Sequence, residues 1–246
     1  MAMDNLMLIG LTRQMTLRRE MDITANNIAN ANTSGFKTER LLLETRTATP
    51  ARHADGPSSI RFVGDQGMLR DFTQGTLLRT GRPLDLALDG PGFFTLETPA
   101  GERFTRDGRF TLNQAGELTA PDGARVLDEN GQPVLIDPQA GPVEISPEGR
   151  IIQNGEPGAR LGLAVFQAPG LLVKTGDNRF TAPDDAERNF EDAPRVRQGH
   201  TENSNVHPIR EMTRMMQISQ TYGSISSMIE DAGDLSRRAI ERLGRP

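Results

Sequence analysis

Ala25-Asn26-Asn27-Ile28-Ala29-Asn30-Ala31-Asn32-Thr33-Ser34-Gly35-Phe36 closes a stretch with helix-like patterning that begins near Asp4. Residues 4–33 contain no proline and only Gly10, with Met7, Leu11, Met21, Ala25 and Ile28 along one stripe. A helix of that length runs about 45 Å at 1.5 Å per residue, longer than a small domain needs for its own core. Asn26, Asn27, Asn30 and Asn32 work against it, because the asparagine amide competes for backbone hydrogen bonds, at about a few tenths of a kcal/mol each relative to alanine. Thr33-Ser34-Gly35 can act as a simple helix stop, with Gly35 left-handed and Phe36 folded back on the last turn. The alternative, which the far end of the chain favours, sets the amides at 26, 27 and 30 against neighbouring helices, fixing register as buried asparagine does in coiled coils.

At that far end, Met215, Ile218, Tyr222, Ile225, Ile229, Ala232, Ser236, Ala239 and Leu243 recur at alternating steps of three and four, the spacing of a helical seam. Pro208 fits a first helical turn, where its missing N–H costs nothing, so residues 208–243 are expected to form one helix about 54 Å long. Gly223 and Gly233 weaken it, and Ala232, Ser236 and Ala239 permit close approach but bury little. Two such helices alone are marginal, so packing of many copies is the expected source of stability, and repeated contacts that do not close build tubes.

Between the ends the composition changes. Of 246 residues 35% are hydrophobic and 4% aromatic, mean hydropathy is -0.50, and glycine (25) and proline (16) are plentiful. Asp89-Gly90, Asp107-Gly108, Asp122-Gly123, Asn130-Gly131 and Asn154-Gly155 are hairpin-type dipeptides. They separate short strand-like runs such as Phe93-Phe94-Thr95-Leu96 and Val134-Leu135-Ile136. The expected fold is a mainly β central domain, antiparallel, hairpin-rich and barrel- or sandwich-like, with long terminal α-helices pairing as a coiled-coil-like domain. The expected divisions are an N-terminal helix in 1–46, a linker in 47–75, the β domain in 76–200 and the C-terminal helix in 201–246.

Chemistry-bearing patterns are missing. There is no cysteine, which excludes disulfides and thiolate metal sites. His53, His200 and His207 lack the paired spacing of a zinc helix, and no phosphate loop, dinucleotide fingerprint or nucleophile elbow occurs. Asp128-Glu129-Asn130-Gly131 reads as a turn, because Pro133 and Val134-Leu135-Ile136 stand where a calcium loop needs oxygen ligands. Asp184, Asp185 and Glu187 read as a solvated loop. No cofactor, metal or catalytic residue is assigned. A net charge of -5 gives no nucleic-acid footprint, no run is long enough to cross a membrane, and the apolar run at 6–11 is too short for a signal-peptide core. The rival from another class is a secreted β-domain enzyme or glycan-binding module on a helical oligomerisation stalk, with Glu102 and Asp107 as its carboxylate pair.

Three separated motifs stand in order: Ala25-Asn26-Asn27-Ile28-Ala29-Asn30 with Asn32-Thr33-Ser34-Gly35-Phe36-Lys37, then Thr80-Gly81-Arg82-Pro83-Leu84-Asp85-Leu86-Ala87-Leu88-Asp89-Gly90-Pro91-Gly92-Phe93-Phe94, then Gln198-Gly199-His200-Thr201-Glu202-Asn203-Ser204-Asn205-Val206. Together they resemble those of the bacterial flagellar rod and hook proteins. Residues 10–22 and the modest length are most similar to the proximal rod branch, with the distal rod branch next. The resemblance implies a structural, non-enzymatic subunit of the basal-body rod, the drive shaft across the periplasm. It also implies passage through the flagellar type III export apparatus without leader cleavage, terminal helices lining the export channel, and a β domain outside them. Implied partners are proximal and distal rod subunits and further copies of the chain itself. The residues expected at subunit contacts are Asn26, Asn27, Ile28, Asn30, Asn32, Gly35, Phe36, Asn203, Ser204, Asn205, Val206, Met215, Ile218, Tyr222, Ile225 and Ile229.

Overall fold

The computed structural model describes residues 2–48, 60–183, 186–189 and 194–243. The chain divides into two compact units, a helical one from 1–29, 39–70 and 207–246 and a β one from 30–38 and 71–206.

The helical unit contains α1 (Ala2–Ala29), β1 (Glu39–Ala48), β2 (Ile60–Arg70) and α2 (Pro208–Leu243). The helices pack against one another in opposite directions: Asn27, at the end of α1, hydrogen-bonds Glu211 in the first turn of α2, while Gly10 abuts Ile229 further along it. β1 and β2 form an antiparallel ribbon from Glu39↔Arg70 to Ala48↔Ile60, with a bulge between Leu42 and Leu43. A two-stranded ribbon has too little apolar contact to stand alone, and this one leans on α1.

The first helix ends at Ala29, and β2 lies within the stretch 47–75. Gly56, Pro57, Gly64 and Gly67 mask the strand pattern in the sequence, and the pairing that makes the ribbon is non-local. His53 lies outside the described residues, as do Asp184 and Asp185.

The β unit is antiparallel and hairpin-rich. Its strands are β3 (Leu77–Arg79), β4 (Leu86–Asp89), β5 (Phe93–Thr98), β6 (Gly101–Thr105), β7 (Thr111–Leu112), β8 (Leu118–Thr119), β9 (Arg125–Val126) and β10 (Val143–Ile145). They continue through β11 (Arg150–Gln153), β12 (Glu156–Arg160), β13 (Leu163–Phe166), β14 (Val173–Gly176), β15 (Arg179–Thr181), β16 (Arg188–Asn189), β17 (Arg195–Gln198) and β18 (His200–Glu202). The largest sheet runs β14-β15-β6-β5-β9-β8-β7, with β13 joined to β5, and it does not close into a barrel among the described residues. β10, β11 and β12 make a separate meander, its Asn154-Gly155 turn at φ 52° and 80° as a tight hairpin requires.

Strand alternation builds two cores from one run. Phe94 and Leu96 point into a cluster with Leu86, Leu118, Val126 and Leu161. Phe93 points the other way, into a cluster with Phe104, Phe166, Leu172 and Phe180. The rings of Phe104 and Phe166 meet edge-on, 4.9 Å between centroids.

Candidate assembly site

The seam of α2 faces α1. Glu211, Ile218 and Ala232 are buried, and Met215, Tyr222, Ile225 and Ile229 are half-buried among them at the same three-and-four spacing. The side chains of Ser236, Ala239 and Leu243 lie outside the described part. On α1, Leu17, Glu20, Ile23, Thr24 and Asn27 are buried. Gly10 permits a close approach, because a Cβ there would stand 2.9 Å from Ile229 Cγ1. Beside it is an apolar slot of about 160 Å³ lined by Met7, Gly10, Ile225, Met228, Ile229 and Ala232.

The other side of each helix is apolar and left uncovered by the described residues. Leu8, Leu11 and Met15 on α1 are exposed at steps of three and four, Met15 to 67%. On α2, Ile209, Met212 and Met216 repeat that spacing, Ile209 at 81% exposure, with Met228 and Leu235 beyond them. Because the helices run in opposite directions, the two stripes lie at opposite ends of the pair. The ribbon adds exposed Leu42, Leu43, Met68 and Leu69.

Where α1 ends, a buried polar junction forms. Asn27, 1% exposed, donates from Nδ2 to the Glu39 carbonyl at 2.8 Å and to Glu211 Oε2 at 3.1 Å, and its Oδ1 accepts from the Glu39 N–H at 3.0 Å. The amide thus bonds both backbone groups of the first β1 residue while holding the first turn of α2. Arg70 Nε donates to Glu39 Oε1 at 2.9 Å, bringing in the end of β2.

The β unit has a junction of its own, built on the strap at 30–38. After α1 the strap turns twice, with Thr33 N–H bonded to the Asn30 carbonyl and Phe36 N–H to the Thr33 carbonyl. Gly35 sits at φ 68°, and its N–H reaches the Glu202 carbonyl at 2.8 Å. A Cβ at Gly35 would fall 2.5 Å from the Arg106 carbonyl carbon, so both the left-handed backbone and the close approach demand glycine. Phe36 is buried with the Lys174 ammonium 4.7 Å above its ring.

Next to it, Lys37 Nζ donates to Glu202 Oε1 at 2.6 Å and to the Thr73 carbonyl at 2.7 Å, while Arg106 Nη1 reaches Glu202 Oε2 at 3.1 Å. All three side chains are 3% exposed or less, so one carboxylate serves two buried cations. Burial pushes the Lys37 ammonium below its ordinary range, with Glu202 opposing, and pushes the Arg106 guanidinium down for the same reason. Asn205 ties the remaining segments: its Oδ1 accepts from Thr38 N–H and Oγ1 at 2.8 Å, and its Nδ2 donates to the Asp71 and Thr73 carbonyls.

The expected contact residues therefore fall into two groups. Asn27, Gly35, Phe36, Ser204, Val206 and Ile218 are buried within the single chain, and Asn27 and Asn205 spend their amides on intrachain bonds. Ser204 Oγ accepts from the Val206 N–H. Asn26 and Asn32 are exposed, while Ile28, Asn30 and Asn203 are half-buried. At position 27 the amide bonds β1 and α2 of its own chain. Lys37, Glu39, Arg106, Glu202 and Glu211 were not legible as site residues, because charges 96 and 165 positions apart carry no local signal of pairing.

Of the two carboxylates considered for catalysis, Asp107 is occupied. Both Asp107 oxygens are taken by Arg109, at 2.9 and 2.7 Å, and this hydrogen bonding raises the Arg109 guanidinium. Asp128 Oδ1 accepts from Asn130 and Gln132 N–H, closing the expected turn. Among the described residues no cluster of three or more histidines and carboxylates is placed to hold a metal ion, and no helix is long and apolar enough to cross a membrane.

Comparison with known proteins matches three family descriptions along the chain. Residues 7–37 match "Flagella basal body rod protein", 87–153 match "Flagellar hook protein FlgE/F/G D1 domain", and 197–242 match "Flagellar basal body rod FlgEFG protein C-terminal". The first span covers α1 from Met7 with the strap through Lys37, and the last begins inside β17 and carries Glu202, Asn205 and nearly all of α2. The chain is 46% identical over 244 residues to flagellar basal-body rod protein FlgF of Caulobacter vibrioides, spanning 99% of both chains. It is 32% identical to FlgF of Mesorhizobium japonicum, over 98% of this chain and 99% of that one. Against FlgG of the same Caulobacter the identity is 32%, over 87% and 90%. Within one organism, then, the similarity to FlgF is higher and covers more of the chain.

Proposed function

Because the chain belongs to the flagellar basal-body rod protein family and is most like FlgF, we propose that its helical unit is the part through which it polymerises. It is a structural subunit of the flagellar rod, in the basal body. Its neighbours are other rod subunits, proximal and distal, and further copies of itself. It reaches them through the flagellar type III export apparatus. Packed side by side, the α1 and α2 pairs enclose the export channel and carry torque along the rod.

The observation that carries this reading is the pair of uncovered apolar stripes, Leu8, Leu11 and Met15 on α1 and Ile209, Met212 and Met216 on α2. Burying one such side chain contributes about 1.5–3 kcal/mol, so six of them left in water represent a large incentive to associate. Stripes at opposite ends of an antiparallel pair suit head-to-tail stacking, which extends without closing. Asn26 and Asn32, exposed on the same N-terminal stretch, are proposed as polar contacts at that interface. The glycan-acting alternative has no support in the relatives, and its Asp107 is occupied by Arg109.

The test uses the outer stripe. Ile225 and Ile229 pack inside the pair, so aspartate there damages the subunit itself; Met212→Asp with Met216→Asp changes only the exposed face. The doubly substituted chain is expected to keep wild-type helix content by circular dichroism and to fail to restore swarming to a strain lacking its own copy. Swarming at the wild-type rate would remove the outer face from the assembly interface.

A further inference from the structure

All ten methionines of the chain fall in the helical unit, and the β unit, residues 30–38 and 71–206, has none. There is no cysteine and no tryptophan, so the thioethers are the side chains most open to two-electron oxidation, and one unit holds them all. Met15, Met212 and Met216 are each more than half exposed, while Met21 and Met215 are half-buried. Met15 closes the α1 stripe, and Met212 and Met216 stand one turn apart in the α2 stripe. Leucine would present a similar apolar surface at these places and would not react, whereas a thioether can be oxidised and restored.

We propose that Met15, Met212 and Met216 form a reversible oxidation site, at which a peroxide turns the apolar stripes of the free subunit polar. The sulfur lone pair attacks one peroxide oxygen and the O–O bond breaks. An S=O bond forms, the second oxygen leaves as water, and sulfur loses the two electrons that the peroxide gains. Two thiols of a methionine sulfoxide reductase reverse the step, taking the oxygen off as water and becoming a disulfide, with one enzyme for each sulfoxide epimer. The stripes are poorly equipped to satisfy the new oxygen. The threonines beside these sulfurs, Thr12, Thr16 and Thr213, each donate their hydroxyl to a backbone carbonyl four residues back. A sulfoxide buried against another apolar side chain gives up its water without gaining a donor from them, which should weaken that contact at least about tenfold. The consequence, which rests on the rod reading, is that oxidation keeps the free subunit out of the rod while leaving its β unit intact.

The test begins with the purified full chain in dilute hydrogen peroxide, followed by peptide mass spectrometry. Met15, Met212 and Met216 should gain oxygen at least about threefold faster than Met21 and Met215. The two reductases should remove it again, and the calorimetric transition of the β unit should not move. Function is read from swarming of a strain that lacks its own copy. Met212→Gln with Met216→Gln sets a polar amide where the sulfoxide would be and should cut swarm expansion at least about fivefold. Met212→Leu with Met216→Leu, apolar and unable to take up oxygen, should stay within about twofold of wild type. The proposal is overturned if Met21 and Met215 oxidise as fast, if oxidation unfolds the β unit, if the glutamine pair swarms at the wild-type rate, or if the leucine pair is as impaired as the glutamine pair. Wild-type swarming of the glutamine pair beside failure of Met212→Asp with Met216→Asp sinks the oxidation site alone; wild-type swarming of both removes the outer face from the rod reading as well.

Discussion

Replacing Glu202 with glutamine removes the one anion that two buried cations share, and it should be among the most destabilising changes in the β unit. Glutamine keeps the shape and one acceptor oxygen, so cavity formation contributes little. What changes is that Lys37 and Arg106, at most 3% exposed, both lose the carboxylate bonded to them, leaving Lys37 with the weaker influence of Asp71. Breaking a buried pair in this way costs about 3–5 kcal/mol. At about 2–4 °C per kcal/mol for a body of this size, the β-unit transition should fall by about 6–20 °C in differential scanning calorimetry.

Two controls give the reasoning further content. Lys37→Met removes the surplus cation and leaves Arg106 and Glu202 paired one to one, so it should cost clearly less than Glu202→Gln. The pH dependence follows from Lys37, whose pKa burial holds below 10.5 in the fold. Between the lowered value and 10.5 the unfolded chain binds more protons than the folded one, so stability rises with pH across that alkaline window. Glu202→Gln removes the attraction that opposes the lowering and should extend the window toward neutral pH. A Glu202→Gln loss under about 1 kcal/mol, or a Lys37→Met loss that exceeds it, would refute the claim that this carboxylate holds the strap to the β unit by charge.

Gly35→Ala should destabilise the β unit by about 2 kcal/mol or more, since it forces a side chain into a left-handed backbone and against the Arg106 main chain, which cannot swing aside; chemical denaturation measures it. Gly10→Leu should weaken the helical unit alone, by about 1–3 kcal/mol from overpacking against Ile229, despite the better helix propensity of leucine; the change should appear in exchange of α1 and α2 amides with the β unit unaffected.

Local chemistry made part of this chain legible before any coordinates. The three-and-four spacing from Met215 to Ala232 marked the face of α2 that is covered, Gly35 marked a left-handed stop after the first helix, and the Asn-Gly and Asp-Gly dipeptides marked a hairpin-rich middle. These are signals that neighbours in sequence carry by themselves, through periodicity and allowed φ. The ribbon was missed because strand pairing between 39–48 and 60–70 is not a local property, and glycine interrupts its alternation. The asparagine run was read for its unusual cost, which is a sequence fact. Where Asn27 would spend its amide was not, since its partners are a backbone twelve residues on and a carboxylate 184 residues on.

What the sequence alone determined, then, is the repertoire: two helices too long for a private core, a β middle, and a set of motifs shared with the rod and hook proteins. Only the tertiary structure decided the ownership of residues between those parts. It assigned 30–38 to the β unit, through Gly35 and the Lys37–Glu202–Arg106 cluster, and it turned Asn27 inward to join α1, β1 and α2. Burial makes such choices because a polar group removed from water must find its partner wherever the fold brings one, and distance along the chain does not limit where that is.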